Sequence, residues 1–80
     1  GYDTSTNTVS AKNLSVSNVL TAGTVAYGSL SGITPAVGMV IQISSAKDAL
    51  TWGATIDGAG TGGTTYLAWY NGTHWTVMGA

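Results

Sequence analysis

The glycines of DGAGTGG, Gly58, Gly60 and Gly63, spell G-x-G-x-x-G. That spacing lets backbone amides cradle a pyrophosphate when a strand precedes it and a helix N-terminus follows. Here the glycines lead into Thr64 to Gly72 (TTYLAWYNG), a strand-and-turn pattern that supplies no helix dipole. Twelve glycines in eighty residues reach this spacing by composition alone, so the stretch reads as a loop and no cofactor is expected. His74, the one histidine, is a general base or metal ligand by type, but the chain has no Cys and no Glu to complete either site. Asp48 and Asp57 are a hydrolytic pair by type. Both lie in turn contexts, Lys-Asp-Ala and Asp-Gly, where Asp is chosen for its backbone geometry. Asp57 with loop carbonyls would give a hard cation only one carboxylate. The expectation is a chain that is not an enzyme and holds no metal.

The aromatic residues carry more chemistry. Trp52, Trp69, Trp75, Tyr66 and Tyr70 have faces that stack on sugar rings or anchor protein interfaces, with core packing as the default use. Four of them sit in two runs, Tyr66 to Tyr70 and Thr73 to Val77, which flank Asn71-Gly72 and so read as a hairpin. A two-residue type I′ turn there pairs Tyr70 with Thr73, Trp69 with His74, Ala68 with Trp75, Leu67 with Thr76 and Tyr66 with Val77. Tyr66, Ala68, Tyr70, Trp75 and Val77 then share a packing face. Leu67, Trp69, His74 and Thr76 share a mixed face that meets solvent, a neighbouring subunit or a ligand. Trp52, Trp69 and His74 are accordingly the candidate receptor or interface contacts, with Trp69 foremost.

The elements that must position these residues belong to a small chain. Eighty residues bury only about 60% of the unfolded surface, so such a domain is marginal without reinforcement. With no Cys for disulfides and no zinc set, oligomerisation is the reinforcement left. Lys12, Lys47, Asp3, Asp48 and Asp57 are the only charged side chains, 6% of the chain against about 25% in ordinary domains. No basic cluster offers a footprint for nucleic acid, and no run approaches the roughly 20 apolar residues of a membrane-spanning helix. Neither nucleic-acid binding nor membrane insertion is expected. The start at Gly1 rather than Met leads us to expect a processed product or part of something longer.

Along the chain, Gly1 to Asn7 reads as a linker or fraying end. From Thr8 to Ile33, short runs of β-branched and polar residues, broken by Asn13, Asn18, Gly23, Gly28 and Gly32, suit a chain wound against identical partners. Thr34-Pro35 marks a break. Val37 to Ile43 (VGMVIQI) then predicts a central strand with Met39, Ile41 and Ile43 on one face and Val40 and Gln42 on the other. A turn is expected over Ser44 to Ala49, a second strand over Leu50 to Ile56, a glycine-rich loop over Asp57 to Gly63, and then the hairpin. The carboxy-terminal unit is thus expected to hold about four short antiparallel strands, with Met39, Ile41, Ile43, Tyr66, Tyr70, Trp75 and Val77 as its core.

The opening Pro-x-Val-Gly at Pro35 to Gly38, a hydrophobic strand, a glycine-rich loop and then Tyr70, Gly72 and Trp75 form a recognisable series. It resembles the carboxy-terminal domain of many bacteriophage fibre and virion structural proteins, which carry Y-x-G-x-x-W close to their end. The upstream VSAKNLSVSNVLTAGTVAYGSL is similar to the thin shafts of such fibres. The resemblance implies an all-β homotrimer, with residues 1–32 as linker and thin intertwined β-rich shaft and 33–80 as a small antiparallel β head. Leu14, Val16, Val19, Leu20, Val25, Tyr27 and Leu30 would pack against their copies along the threefold axis. The implied setting is the virion, on tail or capsid surface. The implied partners are the chain's own copies, other virion proteins and a host-surface glycan.

Overall fold

Tyr2–Asp3 (β1) and Thr8–Val9 (β2) pair antiparallel as a small separate ribbon, with Gly1 and Ser10 bonded through both their backbone groups at 2.7 and 2.8 Å. Four further strands form one sheet of order β3-β4-β5-β6: Thr24–Ala26 (β3), Val40–Ala46 (β4), Thr64–Tyr70 (β5) and Trp75–Gly79 (β6). The computed structural model describes residues 1–5, 8–60 and 63–79. Thr6 and Asn7 of the expected linker, Thr61 and Gly62 of the glycine-rich loop, and Ala80 lie outside the described residues. The protein is all-β, with one 3₁₀ segment among the described residues, Tyr27–Gly32, where short alternation had suggested more extended chain. Its YGSLSG sequence lacks the straight-chain residues that would propagate an α-helix.

The sheet is mixed. β4 pairs antiparallel with β5, and β5 with β6, but β3 runs parallel to β4, with Val25 opposite Ile43. The expectation of purely antiparallel strands is corrected by that pair, in which a strand from the shaft-like region, Thr24–Ala26, joins the sheet of the head. A parallel neighbour requires a crossover, and the 3₁₀ segment with the Thr34-Pro35 break provides it.

The closing hairpin keeps its faces and changes its turn. Tyr70 lies opposite Trp75, Trp69 opposite Thr76 and Ala68 opposite Val77, so the loop has four residues rather than two, and His74 is a loop residue instead of the partner of Trp69. Asn71 causes this. Its Oδ1 accepts the amides of Thr73 at 2.9 Å and His74 at 2.8 Å, its own amide donates to the His74 carbonyl at 3.1 Å, and Gly72 takes φ +100° between them. Each of these three pairings moves by two residues, and a register shift beyond Ala68 sets Leu67 opposite Gly79. An even shift leaves every side chain on its face, so Tyr66, Ala68, Tyr70, Trp75 and Val77 still point together, and Tyr70 and Trp75 meet edge to face at 5.2 Å.

Two further expectations change. β4 continues through Ala46, past the expected turn start at Ser44, by means of a register shift between Ile43 and Ala46 that puts Ser45 at φ 53°. The strand expected over Leu50 to Ile56 is reduced to one bridge, Thr55 to Thr76, because a turn closed from Ala54 N–H to the Thr51 carbonyl at 3.0 Å interrupts it. Bonds from Gly53 to Val77, Val77 to Ala54 and Ile56 to Trp75 still lay residues 53–56 along β6, and that covers the strand's outer edge.

One face of the sheet is closed. Ile43, Ala46, Ile56, Tyr66, Ala68, Trp75 and Val77 are buried, and Tyr27, Leu30, Ile41, Leu50 and Tyr70 pack against them. Met39 is not in this core. It precedes β4 in the turn whose closing bond runs from its amide to the Ala36 carbonyl, and it stays 40% exposed. Ala46, placed in a turn by the sequence, and Ile56 join the core, as does Ala68 of the expected packing face. The hydroxyl of Tyr66 donates to the Lys47 carbonyl at 2.9 Å and accepts the Leu50 amide at 3.0 Å, pinning the turn after β4 from inside. The radius of gyration, 13.7 Å, exceeds the roughly 11.6 Å of a close-packed chain this long, as the N-terminal third extends from the sheet.

Candidate interaction surface

Because side chains alternate along a strand, the residues that do not face the core must face the other way. Val40 and Gln42 of β4 therefore share the outer face with their partners on β5, Trp69 and Leu67, together with Thr65. Val40, Leu67 and Trp69 are exposed there, and no charged residue is interleaved with them on either strand. Leu20 and Ala22 arrive from the N-terminal side, held by a bond from Gln42 Nε2 to the Ala22 carbonyl at 3.2 Å and from Gln42 N–H to Gly23 at 2.8 Å. Trp52 arrives from the segment beside β6. The result is an open groove of about 500 Å³ lined by Leu20, Ala22, Val40, Gln42, Trp52, Thr65 and Leu67.

Trp52 and Trp69 thus flank one apolar surface, Trp52 in the groove and Trp69 across from Val40. His74 does not join them. It lines a second cleft of about 460 Å³ on the core side, with Tyr27, Leu30, Pro35, Tyr70, Thr73 and Trp75. The convergence of Leu20 and Ala22 on the outer face was not legible in the sequence. It depends on the parallel docking of β3, for which a three-residue strand gives no pattern.

Leu14, Val19 and Leu20 are 71–72% exposed and Val16 is also exposed, whereas Val25, Tyr27 and Leu30 are partly buried. Tyr27 and Leu30 pack on the core of their own chain. Among the described residues, no hydrogen bond ties residues 11–21 to anything.

Gly58 and Gly60 run beside the end of β4, through bonds from Lys47 N–H to Gly58 at 2.9 Å and from Gly60 N–H to Ser45 at 3.0 Å, and a strand follows them. The glycine at 60 has a steric cause, since a Cβ there would sit 2.1 Å from the Ala46 carbonyl oxygen. Asp48 accepts a bond from the Thr64 hydroxyl at the start of β5. No group of three or more His, Cys, Asp or Glu comes together among the described residues. No family model, curated protein or solved structure matches the chain.

Proposed function

We propose that the chain is a non-enzymatic structural protein of a bacteriophage virion: a short homotrimeric fibre or fibre tip, in which an N-terminal shaft leads into a small β head. The observation that carries this reading is the state of residues 11–21. They hold four large, exposed aliphatic side chains, Leu14, Val16, Val19 and Leu20, and among the described residues no hydrogen bond reaches them. Ordering a residue costs about 1–2 kcal/mol of backbone entropy, which such a segment recovers only against a partner.

Surface area supports the same reading. A folded monomer of 8.0 kDa exposes about 4,450 Å², and this chain exposes 5510 Å². The surplus of about 1,000 Å² is close to the roughly 800 Å² that each partner gives to a standard interface. The Tyr70, Gly72 and Trp75 pattern supports the placement on a virion. The test is the native mass by light scattering on a sizing column across a tenfold dilution. Three chains per particle are expected, and a folded monomer throughout would overturn the proposal.

A saccharide-binding tip is the second reading, favoured by the uncharged cleft of Tyr27, Tyr70 and Trp75 with Thr73 and His74 at its rim. His74→Ala should then weaken binding to a glycan panel while the native mass stays unchanged. A panel with no binding glycan removes this reading.

A further inference from the structure

The outer-face groove and the uncovered segment are complementary. The groove is lined by Val40, Gln42, Thr65 and Leu67 of the sheet and by Leu20 and Trp52, which stand 71% and 73% exposed. Leu14 and Val16 alternate with Ser15 and Ser17, so an extended chain presents both aliphatic side chains to the same side. Neither surface carries a charge: the groove has none, and LSVSNVL from Leu14 to Leu20 has none. Bringing them together desolvates no ion. Ser15 and Ser17 fall on the opposite side of such a segment, where solvent can reach them.

We infer that the groove of one protomer receives the segment around Leu14 and Val16 of a neighbouring copy, so that each chain's N-terminal arm completes the next chain's sheet face. The inference rests on the homo-oligomeric reading above and deepens it, placing Leu14 and Val16 against a neighbour's sheet rather than against their own copies along a threefold axis. The contact is heterologous, arm to groove, and closes into a ring when three copies repeat it. Leu20 stays in the groove of its own chain and forms the point at which the arm leaves one protomer for the next.

The absence of cysteine makes the test direct. Two full-length chains of different mass, one carrying Val16→Cys and the other Leu67→Cys, are refolded together, oxidised mildly and run on a non-reducing gel. A parallel pair uses Leu14→Cys, and all three substituted side chains are exposed, so the fold is retained. The expected result is a shift of both chains to a mixed-mass species that thiol reverses, in a sample whose native mass is oligomeric. An oligomeric sample that yields no mixed species, or only Leu67→Cys pairs from face-to-face packing, overturns the inference and leaves the assembly standing. A monomeric native mass overturns both.

Discussion

Replacing Gly60 by alanine should unfold this protein far more readily than the same change two residues away. The added Cβ would lie 2.1 Å from the Ala46 carbonyl oxygen, 2.8 Å from its carbonyl carbon and 3.0 Å from Lys47 Cα, all of them backbone. Contacts under 3.0 Å are not tolerated, so the two segments must part by roughly 1 Å. Parting them weakens the bonds from Gly60 N–H to Ser45 and from Lys47 N–H to Gly58 and displaces the fully buried Ala46. Two backbone bonds at about 1 kcal/mol each, with some loss of core packing, give a cost of roughly 2–4 kcal/mol. At about 4–8 °C per kcal/mol for a domain of this size, the melting temperature should fall by roughly 10–25 °C. A Cβ at Gly58 meets only the Lys47 Cδ at 4.0 Å, an end that swings aside, so Gly58→Ala should melt within about 3 °C of the parent. Thermal unfolding followed by far-ultraviolet circular dichroism reads both. Equal melting of the two variants, or a Gly60→Ala protein as stable as the parent, would refute the steric account.

Tyr66→Phe should cost about 1–3 kcal/mol in chemical denaturation with an unchanged slope, because it strips the Lys47 carbonyl and the Leu50 amide of their shared partner inside the fold. Asn71→Ala removes the acceptor of the Thr73 and His74 amides and should lower stability by about 1 kcal/mol, while Asn71→Asp, which keeps the acceptor, should lose less. If arms and grooves are shared among three chains, unfolding is linked to dissociation, and the melting temperature should rise by several degrees for each tenfold increase in protein concentration; a concentration-independent transition would count against a trimer that unfolds as it separates.

The fold was legible wherever alternation was long enough to name a face. In VIQI and in TYLAWY, parity alone places Ile41, Ile43, Tyr66, Ala68 and Tyr70 on one side and Val40, Gln42, Leu67 and Trp69 on the other, and a hairpin register wrong by two residues could not disturb it. The turn was misread because Asn71-Gly72 fits a two-residue loop by type, while the Asn71 side chain gathers the amides two and three residues on, those of Thr73 and His74. Leu50 to Ile56 was misread because the turn at Thr51 to Ala54 has no proline or paired glycine to announce it. Trp52 and Trp69 were identified singly. Their shared surface was not, since it requires Leu20 and Ala22 to cross toward β4, a contact more than eighteen residues distant that no local pattern encodes.

The physical asymmetry of the sheet ties these observations together. Its core face is sealed by irregular chain, Tyr27 and Leu30 from the 3₁₀ segment and Leu50 and Ile56 from the stretch beside β6, and two of the seven buried residues are alanines. Its outer face is left with Val40, Leu67 and Trp69, although the chain possesses the aliphatic side chains that could cover it, Leu14, Val16 and Val19. Those side chains are held in an arm that, among the described residues, makes no hydrogen bond to the sheet over residues 11–21. A sequence selected to fold alone would gain by turning the arm back over the groove or by placing charge on the outer strands, and this one does neither. With five charged side chains in eighty residues, little on the outer face offsets that apolar surface, and the proposed association would remove it from water. Folding of the head and recruitment of a neighbour's arm are, on this account, two halves of one event.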